Sequence, residues 1–399
     1  MYLISHKKSE CYGCTACEQI CSHGALKMEP DEDGFIYPVK NMALCTNCGL
    51  CEKVCPFGSV NSNNVDDADI YAAFATDEAC RKGSSSGAIF YLIARAVIAK
   101  GGIVYGAVID ENCQVSHKSA ETEEELNRLR GSKYVQSSLH NTYREIRSNL
   151  RAGRMVYFVG TGCQVAGLQC FLIKKYDNLL TSDLVCHGVP SQKMFDTHIS
   201  YLENKRRGKV VKYSFRNNES WGGCEMYTVE NDKGKRKKYQ LPSYFLSPYL
   251  YSFMYAMTYR DSCYECQFAS VPRRGDLTLA DFWGAEEFYP QLDTSKGVSL
   301  VLANTVTGKM RFDELKGELT YVKSDLEKAA RRNKNLVTHT IRPEIRDHIF
   351  NDLHEHGYDY IAKTKFRPKN YTKFKIKYTL LDIIGRENFL KFKKLIGKF

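Results

Sequence analysis

Cysteine is the residue type whose spacing most clearly indicates chemistry in this 399-residue chain. Two runs near the amino terminus have the same pattern, Cys-x2-Cys-x2-Cys-x3-Cys, where x is any residue. The runs are Cys11, Cys14, Cys17 and Cys21, then Cys45, Cys48, Cys51 and Cys55. Three thiolates at this spacing bind three corners of a 4Fe–4S cube, and the fourth cysteine of each run ligates the other cube.

The two runs therefore predict two 4Fe–4S clusters that exchange their fourth ligands. We expect one cluster at Cys11, Cys14, Cys17 and Cys55, and the other at Cys45, Cys48, Cys51 and Cys21. The alternative is a pair of zinc knuckles, but zinc sites use two pairs of ligands rather than three cysteines and a fourth. Ser22 follows Cys21 where Pro56 follows Cys55, a departure that removes no ligand.

Four later cysteines form a second set that could bind metal. Cys163 and Cys186 each follow an apolar stretch that predicts a buried strand, and Cys263 and Cys266 form a Cys-x2-Cys pair. Together they could hold a third 4Fe–4S cluster; a zinc site, a redox dithiol and isolated core thiols are the alternatives. The remaining cysteines have no partner spacing and are predicted to be structural: Cys80, Cys113, Cys170 and Cys224.

Hydrophobic patterning predicts the elements that must position these residues. Apolar strands at 70–74, 103–109, 155–159 and 183–186 alternate with helices that include 88–100 and one that follows Gly160–Cys163 and runs to about Lys175, and a hairpin is expected within 209–239. This alternation is typical of a parallel sheet covered on both faces. We therefore predict an α+β ferredoxin-like two-cluster domain over 1–62, a linker within 61–67, an α/β domain with a largely parallel sheet over 68–362, and a basic tail over 363–399.

A set of small-residue motifs in the α/β region resembles a known family. The motifs are Lys82–Ala88, Gly101–Ala107, Gly131–Ser137, Gly160–Leu168, Val185–Ser191 and Gly275–Gly284. Their order is similar to that in the beta-subunit family of deazaflavin (coenzyme factor 420) hydrogenases and dehydrogenases, and the resemblance extends over residues 5–285. It implies a flavoprotein that holds FAD, or else FMN, and exchanges electrons with iron–sulfur clusters. It also implies cofactor contacts at Gly160, Thr161 and Gln164.

The loop Lys82, Gly83, Ser84, Ser85, Ser86 and Gly87 gives the same motifs a physical interpretation. Backbone N–H groups at the start of the 88–100 helix suit flavin phosphates, because a helix amino terminus carries about half a positive charge. Lys82 or Lys133 could add charge. The alternative is that the loop only caps the helix. It does not match Gly-x-Gly-x-x-Gly, so it does not support a nicotinamide site.

Four further residues are candidates for the substrate side. His187 could hydrogen-bond a flavin or relay a proton, although a histidine beside a strand end is more often structural. Arg216 and Trp221 could line the substrate face, with surface hairpin residues as the favoured alternative. Asp281 is expected to be a turn or cap residue rather than a catalytic base.

Net charge separates the tail from the body of the chain. Of the net +11, residues 363–399 carry +10 and the other 362 residues carry +1. The body therefore lacks the basic surface of a nucleic-acid-binding protein. The tail could be the solvated face of a docked segment, a contact with an anionic membrane, or a docking site for an acidic electron carrier.

These observations favour an iron–sulfur flavoprotein oxidoreductase in the cytoplasm, since no secretory signal or membrane span is visible. It would pass electrons between a hydride donor or acceptor at the flavin, deazaflavin being one candidate, and the 4Fe–4S clusters. Its expected partner is an electron-carrier protein or a small-molecule reductant. The alternative is an electron-transfer subunit with 4Fe–4S clusters and no flavin chemistry.

Overall fold

The computed structural model describes residues 1–59, 68–216 and 224–384, the last six of these by backbone alone. The predicted linker, Trp221 and the last part of the basic tail lie outside the described residues. The helices are α1 (Tyr2–Ser5), α2 (Ala16–Ile20), α3 (Leu50–Lys53), α4 (Glu78–Lys82), α5 (Ile89–Ala99), α6 (Glu123–Leu129), α7 (Thr142–Arg151), α8 (Gly162–Leu172), α9 (Gln192–Arg206), α10 (Pro248–Met254), α11 (Ala285–Phe288), α12 (Val306–Asp313), α13 (Leu326–Arg331), α14 (Ile345–Thr364) and α15 (Tyr371–Ile384). The strands are β1 (Leu26–Pro30), β2 (Ile36–Lys40), β3 (Asp69–Ala75), β4 (Ile103–Ile109), β5 (Val115–Ala120), β6 (Val156–Thr161), β7 (Leu179–Leu184), β8 (Lys209–Ser214), β9 (Met226–Glu230), β10 (Arg236–Gln240), β11 (Leu277–Asp281), β12 (Ser299–Ala303) and β13 (Leu319–Ser324).

The amino-terminal region combines the three short helices α1, α2 and α3 with an antiparallel hairpin. In the hairpin, Leu26 of β1 pairs with Lys40 of β2. The Asp31 carboxylate closes the turn by accepting backbone N–H groups of Asp33 and Phe35 at 3.1 and 2.9 Å. Aspartate favours such turns because its side chain replaces a backbone acceptor. This is the α+β arrangement expected from the cysteine runs.

The central sheet has the strand order β13-β3-β12-β11-β7-β6-β4-β5. Its centre is parallel, as predicted, through the pairs β11·β7, β7·β6 and β6·β4. Both edges are antiparallel, and the patterning did not predict β5, β12 or β13 as part of this sheet. Strand β5 follows β4 through a short turn at Asp110, whose carboxylate accepts two backbone N–H groups. So short a connection permits only antiparallel pairing.

Helices α5 and α8 cover opposite faces of the sheet. Tyr157 and Val159 of β6 belong to the core that contains α5, whereas Val156 and Phe158 belong to the core that contains α8. Successive side chains of a strand point to opposite faces, so the two helices lie on different sides. The expected helix at 88–100 is observed as α5.

The carboxyl ends of β4, β6, β7 and β11 lie at one edge of the sheet because these strands run parallel. Strand β7 pairs with β6 over Leu179–Leu184, so the strand expected at 183–186 ends earlier than predicted. Val185 and Cys186 therefore belong to the loop beyond this edge. The predicted hairpin is observed as β8, β9 and β10, which form a separate antiparallel sheet.

The amino-terminal region is hydrogen-bonded to the α/β region. Gln136 donates its amide to the carbonyl of Tyr12 at 3.0 Å, and Arg144 donates to the carbonyl of Gln19 at 2.6 Å. At the other end of the described chain, Phe374 of α15 stacks on Phe245 with ring centres 4.4 Å apart. Within the described ranges, no helix is both long and apolar enough to cross a lipid bilayer.

Replacing Gly87 with alanine should destabilise the protein by about 2–3 kcal/mol, because overpacking at a rigid contact costs that much. A Cβ at Gly87 would meet the Ala73 carbonyl oxygen of β3 at 2.3 Å. Gly317→Ala is the matched control, since a Cβ there meets nothing within 4 Å. Anaerobic denaturant titration should show a lower free energy of unfolding for Gly87→Ala only. Equal stability of the two variants would contradict the prediction.

Candidate functional site

The two amino-terminal cysteine runs adopt the same backbone conformation. Left-handed φ angles occur at the second and fourth residues after the first cysteine of each run: Gly13 (64°) and Thr15 (61°), then Asn47 (53°) and Gly49 (73°). This conformation is uncommon for residues other than glycine, so its recurrence at Thr15 and Asn47 indicates a specific requirement. The left-handed residues wrap each run around a point, and α2 and α3 start directly afterwards.

One set of predicted ligands borders a single small cavity: Cys11, Cys14, Cys17 and Cys55. Burial, together with the neighbouring cysteines, raises the pKa of Cys14 and of Cys17 above the usual thiol range. A metal site needs thiolates, so bound iron would have to displace these protons. The four side chains therefore fit the predicted exchange of Cys55 between the runs.

The other set, Cys21, Cys45, Cys48 and Cys51, lies closer to solvent. Cys48 is exposed. Burial, the largest single cause, raises the pKa of Cys21, but the backbone N–H groups of residues 23–26 together lower it overall. Such N–H groups stabilise a thiolate, which is the form that ligates iron. Cys51 lies near Cys17, so the two sets are neighbours.

In the described ranges, no three His, Cys, Asp or Glu side chains converge on a point that one metal ion could occupy. A tetrahedral zinc ion needs four ligands at about 2.0–2.3 Å from a common centre. A 4Fe–4S cube binds each thiolate at a different iron and so holds them further apart.

The second cysteine set lies on one large cavity at the carboxyl edge of the sheet. This cavity has a volume of about 390 Å³, and Cys163, Cys186, Cys263 and Cys266 all line it. Burial and then the neighbouring cysteines raise the pKa of Cys163 to about 12 and of Cys186 to about 11. Tertiary folding thus brings together residues that are up to 103 positions apart in the sequence.

Helix α8 connects this cavity with the first cysteine run. Cys163, at its start, lines the cavity, and a Cβ on Gly167 one turn later would meet the Cys14 Sγ atom at 3.0 Å. Tyr12 lies between the two sites, with its ring centre 4.9 Å from that of Phe268. Its hydroxyl interacts with Cys266, Cys163 and Cys55. The first cysteine run and the second cysteine set are therefore separated by little more than the side chain of Tyr12.

The predicted phosphate loop divides into two parts. Ser84, Ser85 and Ser86 line the cavity, whereas Lys82, Gly83 and Gly87 do not. A Cβ on Gly83 would meet the Arg130 guanidinium at 2.2 Å. The two glycines thus permit close packing between protein elements rather than close approach of a ligand.

The start of α5 faces the cavity with no side chain capping it. Its N-cap residue Ala88 has φ 70°, and Ala88, Ile89 and Phe90 line the cavity. Arg130 and Lys133 line the same cavity. Uncapped helical N–H groups beside two cations form an environment that favours anions. Arg130 was not predicted, although it immediately precedes the Gly131–Ser137 motif.

The Lys133 ammonium is held by the end of α6. It donates to the carbonyls of Arg128, Leu129 and Arg130 at 3.3, 2.9 and 2.8 Å. Burial lowers the pKa of Lys133 to about 7. Lys133 thus borders the cavity, while its ammonium makes its hydrogen bonds to the protein.

The residues expected from the Gly160 motif lie on the cavity wall. Thr161 and Gln164 form a capping box at the start of α8, in which the Thr161 N–H donates to Gln164 Oε1 at 3.0 Å. Gln164 in turn donates to Ser137 Oγ at 3.0 Å. Gly160, Thr161 and Gln164 all border the cavity. The Gln164 amide links Thr161 to Ser137 along the cavity wall.

His117 is a cavity residue that the sequence did not identify. It lies on the unpredicted strand β5, and its ring contacts the Val159 carbonyl at 3.0 Å and Ser137 Oγ at 2.9 Å. Burial lowers the pKa of His117 to about 4, so the ring is neutral near pH 7. We infer that Nε2–H donates to Val159 and that Nδ1 accepts from Ser137.

Two of the substrate-side candidates, His187 and Asp281, lie at another part of the cavity. Burial lowers the pKa of His187 although Asp281 opposes the shift. Arg216 is buried and pairs with Asp281 at 2.6 Å, so the surface-hairpin interpretation of Arg216 is wrong. Asp281 has the role of an ion-pair partner at the end of β11. Its Oδ1 atom has no hydrogen-bond partner among the described residues.

Comparison with known proteins agrees with this arrangement. Residues 10–59 match the family described as 4Fe-4S dicluster domain, and residues 153–328 match the carboxyl-terminal part of the coenzyme F420 hydrogenase/dehydrogenase beta subunit. The motifs between 82 and 137 lie outside both matched ranges. No curated protein matched. One solved structure, of the F420-reducing [NiFe] hydrogenase complex from Methanosarcina barkeri, is similar at 18% identity and a TM-score of 0.40 over 67% of this chain and 88% of that chain.

Fold and site together define an iron–sulfur oxidoreductase built from a 4Fe–4S dicluster region and an α/β region with a large cavity. Residues 153–328 are those that match the coenzyme F420 hydrogenase/dehydrogenase beta-subunit family, and residues 10–59 match the 4Fe-4S dicluster family. The expected family, the ferredoxin-like region and the largely parallel α/β sheet are thereby confirmed.

His117 should make the stability of the protein depend on pH between 6.5 and 4. Between these pH values the histidine binds a proton in the unfolded state but not in the folded state, so the free energy of unfolding falls as the pH falls. The pKa difference corresponds to about 3 kcal/mol. Anaerobic unfolding at several pH values should show a larger loss in the native protein than in His117→Gln, which keeps the smaller contribution of His187, whose pKa is also lowered by burial. The control His348→Gln, at an exposed histidine, should behave like the native protein.

Proposed function

We propose that this protein is an iron–sulfur flavoprotein oxidoreductase that passes electrons between a hydride donor or acceptor at a flavin and 4Fe–4S clusters that serve a partner protein. The observation that carries the proposal is that one cavity of about 390 Å³ borders both the uncapped start of α5 and the second cysteine set. The start of α5, which would bind an anion, and the second cysteine set, which would bind metal, thus border the same cavity. This cavity lies at the sheet edge where α/β proteins bind ligands.

The flavin would bind with its phosphate groups at the start of α5, beside Ser84–Ser86, Arg130 and Lys133. Bound there, a flavin supplies the conversion between two-electron hydride transfer and single-electron transfer. The cavity volume lies within the range of about 300–1,000 Å³ typical of small-molecule sites. FAD, whose two phosphates match the two cations, is favoured over FMN.

The second cysteine set would hold a third 4Fe–4S cluster. Cys163, Cys186, Cys263 and Cys266 come from three separate segments yet interact electrostatically with one another. A redox dithiol would require only two of these cysteines to be neighbours, and the alternative of isolated core thiols would require no two of them to be neighbours. Placement of all four on one wall therefore supports the cluster over these alternatives.

Electrons would enter or leave through the dicluster region. Cys48 is exposed, whereas Cys14 is buried, so the set with Cys21, Cys45, Cys48 and Cys51 faces solvent and the other faces the α/β region. A protein electron carrier would therefore meet the first of these sets. The substrate, a reduced deazaflavin or another soluble hydride donor, would enter beside His187 and Asp281. Contact of the basic tail with a membrane stays a prediction.

Iron content tests the number of clusters. The anaerobically loaded protein should contain about twelve irons per chain, since each 4Fe–4S cluster holds four. Cys186→Ser should reduce the count to about eight, and the control Cys113→Ala should leave it unchanged. A native count near eight would remove the third cluster from the proposal.

Flavin extraction tests the oxidoreductase assignment. Acid treatment of the anaerobically purified protein should release one flavin per chain, detected by its fluorescence. Iron–sulfur absorbance without any flavin would favour the alternative of an electron-transfer subunit. Screening reduced deazaflavin, NADH, NADPH and reduced ferredoxin for bleaching of the flavin band would then identify the donor.

Flavin affinity should fall as the pH rises above 7, because the Lys133 ammonium, whose pKa is about 7 in the free protein, then loses the charge that attracts the phosphates. We expect a loss of about tenfold between pH 6 and 9, which corresponds to about 1.4 kcal/mol. Fluorescence quenching of FAD by flavin-depleted protein measures the affinity. Lys133→Met should bind weakly and without this pH dependence, whereas Lys118→Met, at an exposed lysine of β5, should match the native protein.

A further inference from the structure

Arg260 connects the two cysteine sets that face each other across Tyr12. It precedes the short turn Asp261–Glu265, which carries Cys263, and its side chain is fully buried. The guanidinium donates to the carbonyls of Cys11 and Ile36 at 2.6 and 2.8 Å, and to Gln136 Oε1 at 3.2 Å. A side chain from the α/β region thus reaches into the first cysteine run.

The charge of Arg260 is directed at sulfur atoms. Its guanidinium lies against the Cys11 backbone carbonyl, and its charge interacts electrostatically with the side chains of Cys11, Cys263 and Cys163. Burial alone lowers the pKa of Arg260, but Cys11, Tyr37 and Cys263 raise it overall. One cation therefore interacts electrostatically with a predicted ligand of the first cluster and with two predicted ligands of the third.

In the part of the chain that the structure describes, Arg260 forms no ion pair with a carboxylate. Arg273, on the same cavity, differs because it pairs with the buried Asp183 at 3.1 Å. An unpaired buried charge is costly, so a compensating negative charge is expected close by. Iron–sulfur clusters with four thiolate ligands carry that negative charge.

We propose that Arg260 is the shared counter-charge of the two iron–sulfur sites on either side of Tyr12 and raises the reduction potential of both. The proposal rests on the cluster ligands given under the proposed function. Each electron that a cluster accepts adds one negative charge, which a neighbouring cation stabilises. An N–H donor at a ligand sulfur acts in the same direction. Arg260 is thus a positioning residue that acts on the clusters through their cysteines.

Two substitutions separate charge from architecture. Arg260→Lys keeps the positive charge and loses the planar arrangement of donors, whereas Arg260→Gln keeps a donor and loses the charge. Gln136→Leu is the control, since it removes one hydrogen-bond partner of Arg260 without changing any charge. Redox titration followed by electron paramagnetic resonance measures the midpoint potential of each cluster without any assay of activity.

Arg260→Gln should lower the midpoint potentials of both sites, while Arg260→Lys and Gln136→Leu should stay close to the native values. Equal shifts in Arg260→Gln and Arg260→Lys would indicate that the residue only joins the two regions, and no shift in either would also overturn the proposal. Iron and sulfide are counted on the same samples. A missing third cluster would then count against the proposed function, whereas full clusters with unshifted potentials would count against Arg260 alone.

A second measurement applies if Arg260→Gln does not accumulate in loaded form. Native protein labelled with guanidino-15N arginine should show 15N hyperfine coupling to the reduced clusters in pulsed resonance spectra. Arg260→Lys, with the same label, should lose the strongest of these couplings. Identical 15N spectra for the two proteins would place Arg260 too far from the clusters to act on them, and the proposal would fail.

Discussion

Helix α8 packs against Cys14 at Gly167, where a Cβ would lie 3.0 Å from the cysteine sulfur, and it begins one turn earlier at Cys163 on the cavity wall. Electron transfer between two sites requires that they be close, and only a residue without a side chain allows this approach. Gln136 and Arg260 maintain it by binding backbone carbonyls of the Cys11–Cys14 turn. The spacing between the first cysteine run and the second cysteine set thus depends on packing between two regions of the chain.

The polar groups around the cavity are mostly engaged with the protein itself. Gln164, Ser137 and His117 form one continuous series of hydrogen bonds, and Lys133 is held by three carbonyls. Buried polar groups need such partners, and a wall whose groups are satisfied keeps its shape without a ligand. The proposed binding of an anion would therefore rely on charge and on the uncapped α5 rather than on free side-chain donors.

The small-residue loop shows that its glycines have a packing role which the sequence did not predict. The sequence predicted that Gly83 and Gly87 belong to a loop whose backbone N–H groups suit flavin phosphates. In the structure Gly83 packs on Arg130 and Gly87 on the backbone of β3, and the intervening serines face the cavity. A sequence shows that a glycine is needed near a site, but not which neighbour requires its missing side chain.

The amino-acid sequence alone determined the dicluster region, because three cysteines spaced by two residues can wrap one cube through local backbone conformation. It also determined the parallel centre of the sheet, because buried strands and amphipathic helices have different hydrophobic periods. Only the tertiary structure decided that Cys163, Cys186, Cys263 and Cys266 share one wall, that Arg216 is buried against Asp281, and that His117 reaches the cavity from β5. These contacts join distant segments through strand order and packing, which local patterns do not encode.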